Sequence, residues 1–428
     1  MKWPMVYLGA LCHTITKGTT PRTIGREYVS DGIPFLRAEN LQGDEVFLGS
    51  ETLYIDLETH RILSRSIIYP GDVLISIAGT IGRCAIVPEN MPVMNCNQAV
   101  AIVRIAGPLE RRFLLHWLKS SDAQTQMSGG KVTLTIANLS LGQIKKLRVP
   151  LPPLSEQQRI VEILDQADDL RKKRAEADAK AARILPALFY KMFGDPLTLV
   201  TSGEGVPLGD LEVDIQNGFA CGEKEVEGGL PHLRMNNIDD AGVLNLELVR
   251  TVPVDRDTER YRLKEKDVLF MGTNSEDKIG KTCLFMPPDE RAYLFSNHLI
   301  RLRVSDSRIT PEYVAGFLHL LWSKRFFPSI AKRWVNQSTV AQSSLAALRI
   351  PLPGERSLHM FTTAFQNLLS MRAQRVLAEE ILNQTFAVLL HRAFTGDLTT
   401  KWREAHMKEL LQEMEHQARQ LNLRGHEA

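Results

Sequence analysis

One stretch constrains this chain more than any other: residues 155–196, opening Ser-Glu-Gln-Gln-Arg-Ile-Val-Glu-Ile-Leu and closing Met-Phe-Gly-Asp-Pro. Apolar or small residues return every three and four positions, at Ile160, Ile163, Ala167, Leu170, Ala177, Ala181, Ile184 and Leu188, with Arg174 and Lys191 as basic interruptions. That is the spacing of a heptad seam, and it predicts one long helix. Ser155 and Gln158 have the spacing of a capping box, while Gly194 and Pro196 predict the end. The 39 residues 155–193 would span about 58 Å at roughly 1.5 Å per residue.

The element returns 201 positions later, with Phe361, Ala364, Leu368, Met371, Ala378, Leu382, Thr385 and Leu389 on the seam and Arg375 and Arg392 interrupting it. Two such helices with polar breaks in one register suit each other as partners. The segments ahead of them repeat as well. Ile215-Gln216-Asn217-Gly218 answers Ile15-Thr16-Lys17-Gly18, and Asp267-Val268-Leu269 answers Asp72-Val73-Leu74. Pro231 to Arg234 answers Pro34 to Arg37, Ile279-Gly280-Lys281 answers Ile81-Gly82-Arg83, and Ser296-Asn297-His298 answers Cys96-Asn97-Gln98. Residues 73–77 and 99–105 read as strands, and a helix from Pro108 should turn Phe113, Leu114, Trp117 and Leu118 inward.

The order is globule (1–150), helix (151–196), globule (197–350), helix (351–397) and a helical tail (398–428). In the tail, Met407, Leu411, Met414, Ala418 and Leu421 share a face. Both a docking helix and a helix folded onto the body fit that pattern. The fold class expected is α+β: two mixed α/β domains separated by two long antiparallel coiled-coil helices, with pseudo-twofold symmetry. Antiparallel pairing follows from reach. A globule of about 150 residues, with a radius of gyration near 15 Å, cannot bridge the ends of parallel helices about 58 Å apart.

A net charge of +2 does not announce a nucleic-acid binder, so any such contact has to come from local basic patches. The five cysteines form no CxxC pair, which suits a reducing compartment. No apolar run reaches transmembrane length, and the expected location is the cytoplasm.

The ordered pieces resemble the specificity subunits of type I restriction-modification enzymes. They are Leu8-Gly9, Lys17-Gly18-Thr19-Thr20-Pro21, Gly71-Asp72-Val73-Leu74, Gly79-Thr80-Ile81-Gly82, Asn97-Gln98-Ala99, Leu151 to Gln157 and Phe193-Gly194-Asp195-Pro196, spread over residues 1 to about 403. The resemblance implies that each globule is a target recognition domain reading half of an asymmetric bipartite sequence in double-stranded DNA. It implies that the helices set the spacing and dock two methyltransferase subunits, with restriction subunits joining them. S-adenosylmethionine, ATP and magnesium would sit on those partners. The second copy departs from the pattern, with a longer loop at Thr273–Lys278 and Gly354-Glu355-Arg356-Ser357 at its helix start.

Base reading calls for Arg, Lys, Asn, Gln and small hydroxyl residues on loops, and phosphate anchoring for Lys and Arg. The candidates in the first globule are Lys17, Thr19, Arg37, Asn40, Thr80, Arg83, Asn97, Gln98, Lys131 and Thr133. In the second they are Asn217, Arg234, Asn236, Asn237, Lys278, Lys281, Asn297, His298, Arg333, Asn336 and Gln337. Ordinary turn chemistry competes for every Asn and Thr. Arg171 to Arg174 offers phosphate contacts, against surface pairing with Asp168 and Asp169 four positions earlier.

No methyltransferase signature, nuclease set, nucleotide loop or metal spacing emerges. Ile279-Gly280-Lys281-Thr282 lacks the earlier glycine of a phosphate loop. Three readings remain: a DNA-recognition subunit without catalysis, a DNA-modifying enzyme with an unrecognised site, or a coiled-coil scaffold.

Overall fold

The computed structural model describes residues 3–129, 138–221, 225–253, 258–335 and 337–425. It divides into two compact units, residues 1–173 with 379–428 and residues 174–378. Both divisions fall inside the long helices. Each unit therefore holds a globule and one end of each helix.

In the first unit, six strands pair in the order Cys12–Lys17, Val100–Ile105, Val73–Ser76, Cys84–Ile86, Glu45–Val46, Leu41–Gln42. A four-stranded sheet has the order Leu53–Ile55, Ile33–Leu36, Met94–Cys96, Ile67–Ile68. The second unit repeats the plan with Val213–Asn217, Leu299–Val304, Val268–Met271 and Thr282–Leu284 in one sheet and Arg250–Val252, Leu230–Leu233 and Leu294–Phe295 in another. The parallel pairing is shared. Asn95 lies opposite Phe35 and Cys96 opposite Leu36, as Leu294 lies opposite His232 and Phe295 opposite Leu233.

This register corrects the alignment of the copies. Asn97 donates its amide to Leu36, and Ser296 donates to Leu233, so Asn97 answers Ser296 rather than Asn297. Matching the Asn letters of the two copies places them one residue off; the ladder fixes the register.

The strands Val73–Ser76 and Val268–Met271 are buried throughout, as their unbroken apolar runs imply. The first core gathers Leu8, Val73, Ile75, Phe113, Leu114, Trp117 and Leu118 with Ile160, Leu164, Phe386, Leu390 and Ala393 of the long helices. The helix carrying Phe113 runs Arg111–Leu118, three residues later than expected, because the Glu110 carboxylate caps it by accepting from the Phe113 amide. In the second core Phe189 stacks on Tyr313 at 5.6 Å and meets Phe361 edge-on at 5.5 Å.

The first long helix is not one piece. It runs Leu154–Ala181, breaks, and resumes as Ile184–Phe193. Pro186 explains the break: it has no N–H for the Ala182 carbonyl, and its ring crowds that oxygen. The second long helix, Glu355–Thr395, has no internal proline and is continuous over 41 residues. Gly194, at φ 91°, ends the first pair, but Pro196 opens a short helix, Pro196–Thr201, capped by Asp195. Ser155 does not cap. Its amide and hydroxyl both donate to Glu413, at 3.2 and 2.9 Å.

Within each unit the two helices run antiparallel. In the first, Glu156 meets Arg403 just beyond the second helix, and Arg171 donates to Asn383 at 2.9 Å. In the second, Asp178 pairs with Arg375 at 3.4 Å and Phe189 packs on Phe361. Of the expected seam, Ile160, Ile163, Ala167, Arg174, Ala181, Leu188, Phe361, Ala364, Leu368, Arg375, Ala378, Leu382 and Leu389 are buried or half-buried. Leu170, Ala177, Ile184, Met371 and Thr385 are exposed. At those alternate positions the inward residue lies one place later: Arg171, Asp178, Leu185, Arg372 and Phe386. Polar residues hold the middle of the true seam, so counting apolar residues selects the wrong neighbour.

The tail folds onto the first unit as Thr400–Ala405 and Met407–Gly425. Its inward face is Met407, Leu410, Met414, Gln417 and Leu421, while Leu411 and Ala418 point to solvent. Arg403 explains the docking. It bonds the fully buried Glu156 carboxylate at 2.7 Å, and Thr399 and Trp3 donate to the same group.

Candidate nucleic-acid interface

In both units one backbone network gathers the loops that carry the candidates. Gly18 donates to the Val100 carbonyl, Thr19 to Cys96 and Asn97 to Leu36. Ile77 donates to Ala99, and Leu139 to Ile77. In the second unit Gly218 donates to Leu299, Phe219 to Phe295 and Ser296 to Leu233. Gly272 donates to His298, and Val340 to Gly272. Glycine is required where the network crosses itself. A Cβ on Gly18 would lie 1.9 Å from the Cys96 carbonyl oxygen, and one on Gly218 would lie 2.2 Å from that of Phe295.

Several candidates build these loops rather than offering their side chains. The Asn40 carboxamide accepts from the Arg37 amide at 2.8 Å and donates to Phe47; Asn237 repeats this with Arg234 at 2.8 Å and with Asn245 and Leu248. Asn237 is buried. The Asn97 carboxamide accepts from the Ala99 amide at 3.1 Å, as the Ser296 hydroxyl does from His298 at 3.4 Å. For Asn40, Asn97 and Asn237 the turn role prevails. His298 is half-buried behind the same turn.

Lys281 is also corrected. Its counterpart Arg83 is exposed, but Lys281 is buried, paired with Asp240 and lying 5.4 Å from the Trp322 ring centre. The three residues inserted between Met271 and Gly280 re-aim that turn. Lys17, Thr80, Arg83, Gln98, Asn217, Lys278, Asn297, Arg333 and Gln337 are exposed, and Thr19 is half-buried. Gln98 accepts from Thr20, and Arg37 pairs with Glu39 at 2.5 Å. Asn236 donates to Leu248 at 3.0 Å. Lys131, Thr133 and Asn336 lie outside the described residues.

Four candidates of the second unit, Arg234, Asn236, Lys278 and Lys281, line one open cleft with Asn274 and Met271. At its edge three short strands pair in the order Thr273–Asn274, Ser338–Thr339, Lys332–Arg333. Asn274, Lys332 and Trp334 were not among the candidates. The basic-aromatic run Lys332-Arg333-Trp334 is the sequence signal for Lys332 and Trp334, and Asn274 has none.

The run Arg171 to Arg174 is tied up locally. Arg171 meets Asp168 and lies 4.5 Å from the Phe386 ring centre, Lys172 and Lys173 pair with Asp168 and Asp169, and Arg174 pairs with Asp178. Burial pushes the thiols of Cys12 and Cys84 up to about 12, so neither serves as a thiolate at neutral pH. Among the described residues no group of three or more His, Cys, Asp or Glu is placed to hold a metal, and no helix is long and apolar enough to cross a membrane.

Residues 1–178 match the family model of the type I restriction modification DNA specificity domain. The chain is 21% identical over 419 residues to the type I restriction enzyme StySPI specificity subunit of Salmonella potsdam, covering 91% of this chain and 88% of that one. It is similar to the type I specificity subunits over most of its length. A second relative, named for the MjaX specificity subunit of Methanocaldococcus jannaschii, is 32% identical over 190 residues, 43% of each chain. The fold agrees with a solved chain reported under the assembly and conformational transition of a type I restriction-modification system, at TM-score 0.57 and 18% identity, over 93% of this chain and 98% of that chain.

Proposed function

We propose that this chain is a specificity subunit whose two units each read one half of an asymmetric bipartite target in double-stranded DNA. The observation that carries this reading is the shared backbone network. It presents equivalent loops in both units with different side chains: Thr19 against Phe219, Gln98 against Asn297, Arg83 against the buried Lys281. Equivalent scaffolds with unequal surfaces suit two unlike half-sites. The helical pair sets the gap between the halves and docks two methyltransferase subunits, which restriction subunits then join. Exposed apolar residues on the helices support docking: Leu170, Ile381 and Val388 in the first unit, and Met360, Met371, Val376 and Leu377 in the second. Methyl transfer and cleavage, with S-adenosylmethionine, ATP and magnesium, belong to the partners, and the assembly works in the cytoplasm.

Mapping methylated adenines in a host carrying this subunit and its methyltransferase tests the reading. The expected motif has two different blocks separated by unread bases. A continuous or palindromic motif would overturn it, as would methyl transfer by the purified chain alone.

A further inference from the structure

The most exposed apolar pair in the second unit sits on the turn between the strands Lys332–Arg333 and Ser338–Thr339. Trp334 is 61% exposed and Val335 99%. The Trp334 amide donates to the Gln337 carbonyl at 2.8 Å, which closes the turn and holds both side chains outward. An indole next to a fully exposed valine puts a large, rigid apolar tip with a polar N–H on one tight turn, the kind of group that contacts use. Its surroundings name the partner. The Lys332 ammonium lies 4.7 Å from the indole centre, Arg333 is solvent-facing and pairs with the exposed Glu276 at 2.9 Å, and Lys278 is exposed nearby on the cleft. The acids Glu276 and Asp277 are on the same loop, so cations are in modest excess there. The hairpin is continuous with the cleft, because Ser338 and Thr339 pair with Asn274 and Thr273. An aromatic tip flanked by cations, on the rim of a polar cleft, fits a nucleobase stack beside phosphates.

We propose that Trp334, with Val335, is a stacking wedge that enters a base step of the DNA half-site read by the second unit, with Lys332 and Arg333 on the flanking phosphates. This rests on the reading of that unit as a DNA-recognition module and adds how it grips the duplex. The wedge belongs to one half-site only. The pairing of Thr273 with Thr339 is matched in the first unit by a bridge from Ala78 to Asn138, an offset of 201 on the second strand. Counting back from Asn138 in the sequence, Lys131 answers Lys332, but Thr133 stands where Trp334 does.

The test uses the full chain assembled with its methyltransferase and a duplex bearing the mapped target. A 2-aminopurine replaces single bases away from the methylated adenine. Wild-type protein should raise 2-aminopurine fluorescence at one step of the second half-site and at none of the first. Trp334→Ala should abolish that rise and weaken binding about tenfold or more, while Trp334→Phe keeps most of both. Because the side chain is exposed, Trp334→Ala should melt at the wild-type temperature, which separates lost contact from lost fold. If Trp334→Ala binds the target like wild type and no step brightens, the wedge is wrong while the DNA-recognition reading stands. If Trp334→Ala instead loses its methyltransferase and keeps its own affinity for the duplex, the indole is a protein contact and the proposal fails. If wild type shows no preference for the target over random duplex, the underlying reading falls and the wedge with it.

Discussion

Arg104 forks onto Asp72, with Nε 2.8 Å from one carboxylate oxygen and Nη2 2.7 Å from the other. The second unit repeats the arrangement between Arg303 and Asp267, again at 2.8 and 2.7 Å. In both, the carboxylate also accepts the amide three residues earlier, Tyr69 or Lys264, and the guanidinium reaches a further carbonyl, Ile67 or Arg262. The fork ties a central strand to the turn that precedes its neighbour. Hydrogen bonding to the aspartate raises both guanidinium pKa values.

Removing one partner strands a buried carboxylate. Arg104→Leu should destabilise the first unit by about 3 kcal/mol, and Arg303→Leu the second by a similar amount. Chemical denaturation of each variant checks this, and a change below about 0.5 kcal/mol would show the fork to be ornamental. Arg104→Leu with Asp72→Asn should recover part of the loss.

Acid should unsettle the second unit first. Burial holds His232 and His319 near 4, and Arg234 adds to the effect at His232 while Asp239 partly opposes it at His319. Above about pH 6.5 both states are neutral and nothing is lost. Below it the unfolded chain takes a proton that the folded chain refuses, so stability falls between pH 6.5 and 4, by about 3 kcal/mol for His232 at about 1.4 kcal/mol per pKa unit. In the first unit burial works against Asp165, but His116 and Arg112 more than offset it and hold it at about 2. Its contribution is present above pH 4 and goes only between 4 and 2. Hydrogen exchange at pH 7 and 5 should show protection lost in residues 197–350 and kept in 1–150.

The crossing glycines are the least replaceable backbone positions near the candidate surface. Gly18→Ala or Gly218→Ala should cost about 3 kcal/mol, the upper end for overpacking, and should loosen the loops at 96–99 or 295–298. Normal melting together with normal DNA binding would contradict the crowding at Cys96 and Phe295.

The tail answers a buried charge. Truncation after Asp397 removes Thr399 and Arg403 from Glu156 and should cost 3–5 kcal/mol, on the order seen when a buried ion pair loses a partner. Adding Glu156→Gln should restore part of it. Equal stability of the truncated and full chains, measured by thermal melting, would count against that role.

Much of this was legible because repetition constrains a chain twice: the two units, the two long helices and their antiparallel sense follow from the repeat and from reach. The break before Pro186 was legible too, had the missing N–H outweighed the heptad pattern. The seam slipped because Arg171, Asp178 and Arg372 face inward through ion pairs that no apolar count detects. Asn40 and Asn237 looked like base readers because a carboxamide closing its own turn and one waiting for adenine have the same letter. Exposure separates them, and exposure is a property of the fold. Trp334 stands out by its exposure, which its letter does not carry.

The most direct test exchanges residues 197–350 for the matching segment of a specificity subunit with a different target and maps adenine methylation. One half of the motif should change, while the other half and the gap stay as they were. If both halves changed together, or neither did, the two units would not be reading separate halves.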